Sequence, residues 1–153
     1  MSRIKKILLA ILVVIIVIQF IRPVRNKSDQ VLPSDISKLF TMPDSVLVVF
    51  KNACYDCHSN NTNYPWYINI QPMGWIMTKH IQRGKVALNF SDFGSFSIRK
   101  QQSKLKAIAD QVTDGEMPLS SYTWMHKKAR LTKDEKTLLI NWVQKSKDSL
   151  LKN

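Results

Sequence analysis

Cys54 and Cys57 are the only cysteines in a chain of 153 residues, they stand three apart, and His58 follows the second directly. In one turn of helix, residues i and i+3 share a face, so both thiols can meet one edge of a flat ligand. His58, at i+4 from Cys54, can turn its imidazole onto a metal at the centre of that ligand. A Cys-x-x-Cys-His run is the attachment pattern of a c-type haem. The residues therefore imply one covalent haem c, with Cys54 and Cys57 as thioether positions and His58 as proximal axial ligand.

Three other uses of the same residues fit less well. A redox dithiol wants a strand before the motif in a βαβ pattern, whereas the residues upstream read as helix. A disulfide across so short a spacing closes a small loop and is a poor staple. A zinc site needs a second Cys/His pair at zinc-like spacing, and His80 and His126 each stand alone.

A second axial ligand has one candidate by context. Gly115-Glu116-Met117-Pro118 places a methionine on a proline-stiffened loop, far from Cys54 in sequence. A thioether opposite histidine is a common haem pairing and raises the reduction potential. His80 and His126 are the alternatives and would lower the potential; an open sixth position is the third arrangement.

The elements around these residues read as helices. Thr41-Met42-Pro43-Asp44 has the pattern of a helix start, with Thr41 as cap. Val46, Leu47, Val49, Phe50 and Ala53 then follow at helical spacing and run into Cys54. A polar turn follows over 59–63, then Tyr64-Pro65-Trp66-Tyr67, where Trp66 can pack against a porphyrin edge or serve as ordinary core. Further helices are expected over Pro72 to about Ala87 and from about Ser97 to Val112. The second of these stops at Thr113-Asp114-Gly115, where glycine can take the left-handed conformation. Thr132 and Glu135 form a capping box before the last helix. No strand alternation stands out, so the expected fold is a small all-α domain.

The N-terminal end suggests a membrane helix in front of it. Arg3, Lys5 and Lys6 precede an apolar run, Ile7 to Ile21, that is interrupted only by Gln19. No small-x-small cleavage site follows, which points to an uncleaved signal anchor over 1–25 with membrane lipid against 7–21. A linker over 26–41 and a haem-binding domain over 42–153 complete the expected organisation. Arg22, Arg25 and Lys27 make both flanks positive, so loop charge does not orient the segment. Haem c attachment on the far side of the bacterial inner membrane does, and implies a single-pass protein with a periplasmic haem domain. Two cysteines committed to haem also suit an oxidising compartment.

The formal charge is +12, but six of the 23 Lys/Arg residues precede Ser28, which leaves the rest of the chain at +6. Those charges are scattered, which argues against nucleic-acid binding and leaves room for an acidic redox partner.

Several of these segments occur in one order that resembles a known family. Cys54-Tyr55-Asp56-Cys57-His58-Ser59-Asn60, Tyr64-Pro65-Trp66-Tyr67, Gln71-Pro72, His80 and Leu88-Asn89-Phe90-Ser91 are followed by Gly115-Glu116-Met117-Pro118, Tyr122, His126 and the Leu131–Trp142 helix. Residues from about 45 to 143 resemble the haem-binding domain family of bacterial exported proteins, which is similar to class I cytochrome c domains. The resemblance implies a cytochrome c-like helical fold, thioethers at Cys54 and Cys57, and His58 and Met117 as axial ligands. Leu119 and Lys127 stand where the family pattern often has proline.

Two functions suit such a chain. One is an electron carrier, which needs only a six-coordinate haem near the surface. The other is a peroxidase-like enzyme or a gas or redox sensor with an exchangeable sixth site. No paired carboxylates or nucleophile constellation support catalysis, so one-electron transfer is the favoured expectation.

Overall fold

A computed structural model describes residues 2–28 and 30–151. Every regular element among them is helical, as the sequence predicts. The α-helices are α1 (Arg3–Ile18), α2 (Ile36–Leu39), α3 (Asp44–Ala53), α4 (Tyr55–His58), α5 (Met73–Ala87), α6 (Ile98–Thr113), α7 (Ser120–Met125) and α8 (Lys133–Ser149). Short 3-10 turns occupy Trp66–Asn69, Phe90–Ser95 and Lys127–Ala129.

The core forms where α3, α6 and α8 meet. Gln101, Leu105, Ile108 and Val112 recur at helical spacing along α6 and are all buried. Phe50 of α3 is fully buried and meets Trp142 of α8 and Phe90 edge-on, each at a centroid distance of 5.2 Å. The Trp142 indole donates to the Thr41 carbonyl at 3.0 Å, which ties the last helix to the entry of α3. Two stop and start signals act as the sequence predicts. Gly115 takes φ +74° just past α6, and Thr132 and Glu135 cap α8 reciprocally.

The start of α3 differs from expectation. Its N-cap is Pro43, with extended backbone and no side-chain cap, rather than Thr41. A proline needs no partner for a missing N–H, and the helix begins two residues later than expected, at Asp44.

The membrane anchor is corrected. No helix among the described residues is long and apolar enough to cross a membrane. The 16 residues of α1 span about 24 Å at 1.5 Å each, against a hydrocarbon core of roughly 30 Å. The apolar run continues beyond Ile18, but the helix does not. The Gln19 amide turns back, accepting from Gln71 N at 2.9 Å and donating to Gln71 O at 3.3 Å. The Trp75 indole donates to Ile21 O at 2.9 Å. One polar residue in the run is thus spent on a contact with the helical domain. The inner-membrane location, the lipid contact through 7–21 and the periplasmic haem domain inferred from the anchor fall with it.

Described residues of the 26–41 stretch, expected as a linker, make contacts with the domain. Ile36 and Phe40 enter the core. Asn26 donates its backbone N–H to the Tyr64 hydroxyl oxygen at 2.6 Å and its side-chain amide to Ser59 O and Thr62 Oγ1 at 2.8 and 2.9 Å.

Candidate haem cleft

The Cys-x-x-Cys-His segment is set down as a turn of its own. Cys54, with φ −126°, breaks the line of α3. The chain then rewinds, and Cys54 O accepts from Cys57 N at 3.2 Å and His58 N at 3.0 Å. This turn lies directly on α5. A Cβ added to Gly84 would stand 2.5 Å from the Cys57 carbonyl oxygen, so only glycine admits that approach.

His58 is held in one tautomer. Its Nδ1 lies 2.9 Å from the Leu88 carbonyl, which can only accept, so Nδ1 carries the proton and Nε2 keeps its lone pair. Burial lowers the pKa of the ring, although backbone bonds pull the other way, and this favours the neutral form a metal needs. A ring nitrogen fixed by a carbonyl is the usual support behind a metal-bound histidine.

In front of His58 lies a cleft of about 260 Å³. Cys54, His58 and Met117 all line it, although Met117 follows Cys54 by more than sixty residues. Its walls are mainly apolar, including Phe90 and Ile108, with Ala53, Ala87 and Ala107 where a larger side chain would close the space. Lys104 and Gln111, at i and i+7 on α6, are its polar lining apart from His58. Lys104 Nζ donates to Ala87 O at 2.8 Å, beside the residue that supports His58.

Cys57 opens instead onto a neighbouring cavity of about 110 Å³ with Met77, Tyr67 and Tyr122. Both cysteines are free thiols. Desolvation pushes Cys54 up to about 12 and Cys57 up to about 11, and each is raised further by a neighbouring acid group, Cys57 and Asp56 respectively. Such thiols hold little thiolate at neutral pH, which suits a protected attachment site better than a disulfide-exchange centre.

The other expected site residues lie elsewhere. His80 lines the Cys57 cavity and not the His58 cleft. His126 stacks on Tyr122 at a centroid distance of 4.1 Å and takes the Tyr67 hydroxyl at Nε2. Burial lowers its pKa, so it stays an acceptor. Trp66 is 75% exposed and lines neither cavity, because Pro65 starts a surface turn there; its ring meets Tyr67 edge-on at 6.0 Å.

Nothing in the sequence singles out Asp56 and Tyr122 as a pair. The Tyr122 hydroxyl donates to Asp56 Oδ2 at 2.6 Å, and Asn63 N donates to Asp56 Oδ1 at 2.8 Å. Burial and this bond both raise the Tyr122 pKa, so the phenol remains a donor. Leu88 was also invisible as a support for His58, since it contributes only a carbonyl that every residue has.

A neutral histidine with a free Nε2, a thioether on the same cleft, adjacent thiols and apolar walls form a donor set that fits haem. This is the class of protein that the geometry defines. Residues 13–145 match the model of the haem-binding domain family, and the chain belongs to that family. No curated protein matches the chain. No solved structure matches it either. Haem is accordingly its ligand.

Proposed function

We propose that the chain is a small c-type cytochrome that carries single electrons. In this reading Cys54 and Cys57 hold one haem by thioether bonds, and His58 and Met117 are its axial ligands. Residues 26–41 belong to the same haem-carrying unit as the helices that follow.

One observation carries the reading: His58 and Met117 line a single cleft with Cys54, and the Leu88 carbonyl fixes His58 with Nε2 free. When bound, haem supplies a one-electron iron couple. The chain's own residues do the rest. Leu88 orients His58, the apolar walls exclude water, and Met117 favours the reduced state relative to a second histidine. The two other histidines support this assignment, since His80 lies on another cavity and His126 is engaged by Tyr67. Lys104 at the cleft and the +6 balance beyond residue 27 suit an acidic redox partner.

The test is redox titration of the holoprotein with carbon monoxide as probe. A reversible one-electron couple and slow carbon monoxide binding are expected. Met117→Ala should lower the potential and make binding fast. Fast binding by the wild type at neutral pH would contradict the carrier reading in favour of an enzyme or sensor with an open site.

A further inference from the structure

We propose that the hydrogen bond from Tyr122 to Asp56 is a latch that holds Met117 over the cleft. Tyr122 and Asp56 are then positioning residues for the distal side. The inference rests on the reading of Met117 as an axial ligand.

The segment that carries Met117 is suspended between two anchors. The first is on α6, where Gln111 O accepts from Glu116 N at 3.0 Å and Met117 N at 3.1 Å. The second lies five residues beyond Met117. There Tyr122 of α7 reaches across 66 residues of sequence to Asp56, which stands between the two cysteines. The carboxylate is fixed from its other oxygen by Asn63 N. The Tyr122 ring is steadied by stacking on His126, whose Nε2 takes the Tyr67 hydroxyl.

What makes this bond decisive is how little apolar burial secures α7. The helix has six residues and buries none of them. Apolar burial, the usual source of helix placement, is therefore weak here. A short bond to a carboxylate is among the stronger hydrogen bonds, and this one runs directly from the distal segment to the haem-attachment turn. The same residue that sits inside the motif thereby fixes the loop that must close over it. Losing the bond leaves the Gln111 anchor, the Tyr122–His126 stack and the bond from Arg130 Nε to Thr123 O in place, so the segment stays folded but loses its tie to the haem-attachment turn.

The experiment uses the haem-loaded protein as wild type, Tyr122→Phe, Asp56→Asn and the double variant. Two quantities are read: the ferric absorption band diagnostic of thioether ligation, and the rate of carbon monoxide binding to the ferrous form. Tyr122→Phe keeps the ring and its stacking, so it removes the hydroxyl alone. It should bind carbon monoxide roughly 10- to 100-fold faster, the range set by a hydrogen bond to a charged group. Asp56→Asn should act in the same direction, and the double variant should be no faster than the faster single one. Wild-type rates and band in Tyr122→Phe, or in Asp56→Asn should the first not fold, would overturn the latch. A wild type without the thioether band would instead remove Met117 as ligand, and the latch with it; the two failures are distinct.

Discussion

The two faces of α6 border very different spaces. On one, Leu105, Ile108 and Val112 are buried in the core with the aromatic cluster of Phe50, Phe90 and Trp142. On the other, Lys104, Ala107 and Gln111 border the cleft that faces His58 and Met117, with Ile108 and Val112 at the boundary between the two. Both faces repeat at helical spacing, so periodicity alone does not distinguish them. Side-chain size does. Phenylalanine, leucine and tryptophan fill the core, whereas alanines at 53, 87 and 107 leave the cleft open. The core is complete without a ligand, and the cleft is shaped for one.

That contrast can be broken from either side. Phe50→Ala should cost the fold roughly 3–5 kcal/mol, as for other buried aromatics, read as a lower denaturant midpoint of the apoprotein. Ala107→Phe should do the reverse. Ala107 is exposed in the cleft, so apoprotein stability should change by less than about 0.5 kcal/mol, while most haem incorporation is lost. Unchanged haem content in that variant would show that the cleft is not where haem sits. Gly84→Ala is the sharper and smaller probe, because it acts on the contact between α5 and the motif. Its Cβ would meet the Cys57 carbonyl oxygen at 2.5 Å. Overpacking of this kind costs about 1–3 kcal/mol, more than the alanine gains in helix propensity. A lower melting temperature is expected, and a rise would mean that α5 moves away freely.

The helical core was readable because its helices carry apolar residues at helical spacing and two of them, α6 and α8, carry an end signal. Gly115 as a stop and the Thr132–Glu135 capping box both act where the sequence places them. The reading failed where one polar residue had to be weighed within an apolar run. Gln19 looked like a tolerated interruption of a membrane segment, but it bonds Gln71 and marks where α1 has already ended. For the site, Cys54, Cys57 and His58 could be proposed from sequence because their chemistry depends on residue type and local spacing. Leu88 was not, because a backbone carbonyl leaves no mark in sequence. Nor was the Tyr122–Asp56 bond, which depends on how α7 folds back on the motif. Trp66 misled for a related reason: closeness in sequence to His58 does not bring an aromatic ring to the cleft.

The central claim is that the Cys54–His58 turn carries haem covalently, and the intact mass of the denatured protein tests it most directly. After expression with a haem c maturation system, the account predicts a mass increased by one haem that survives denaturation, and loss of normal covalent haem content in Cys57→Ser. A denatured mass equal to the bare chain would contradict the account, leaving a haem-binding domain that holds its ligand without thioether bonds.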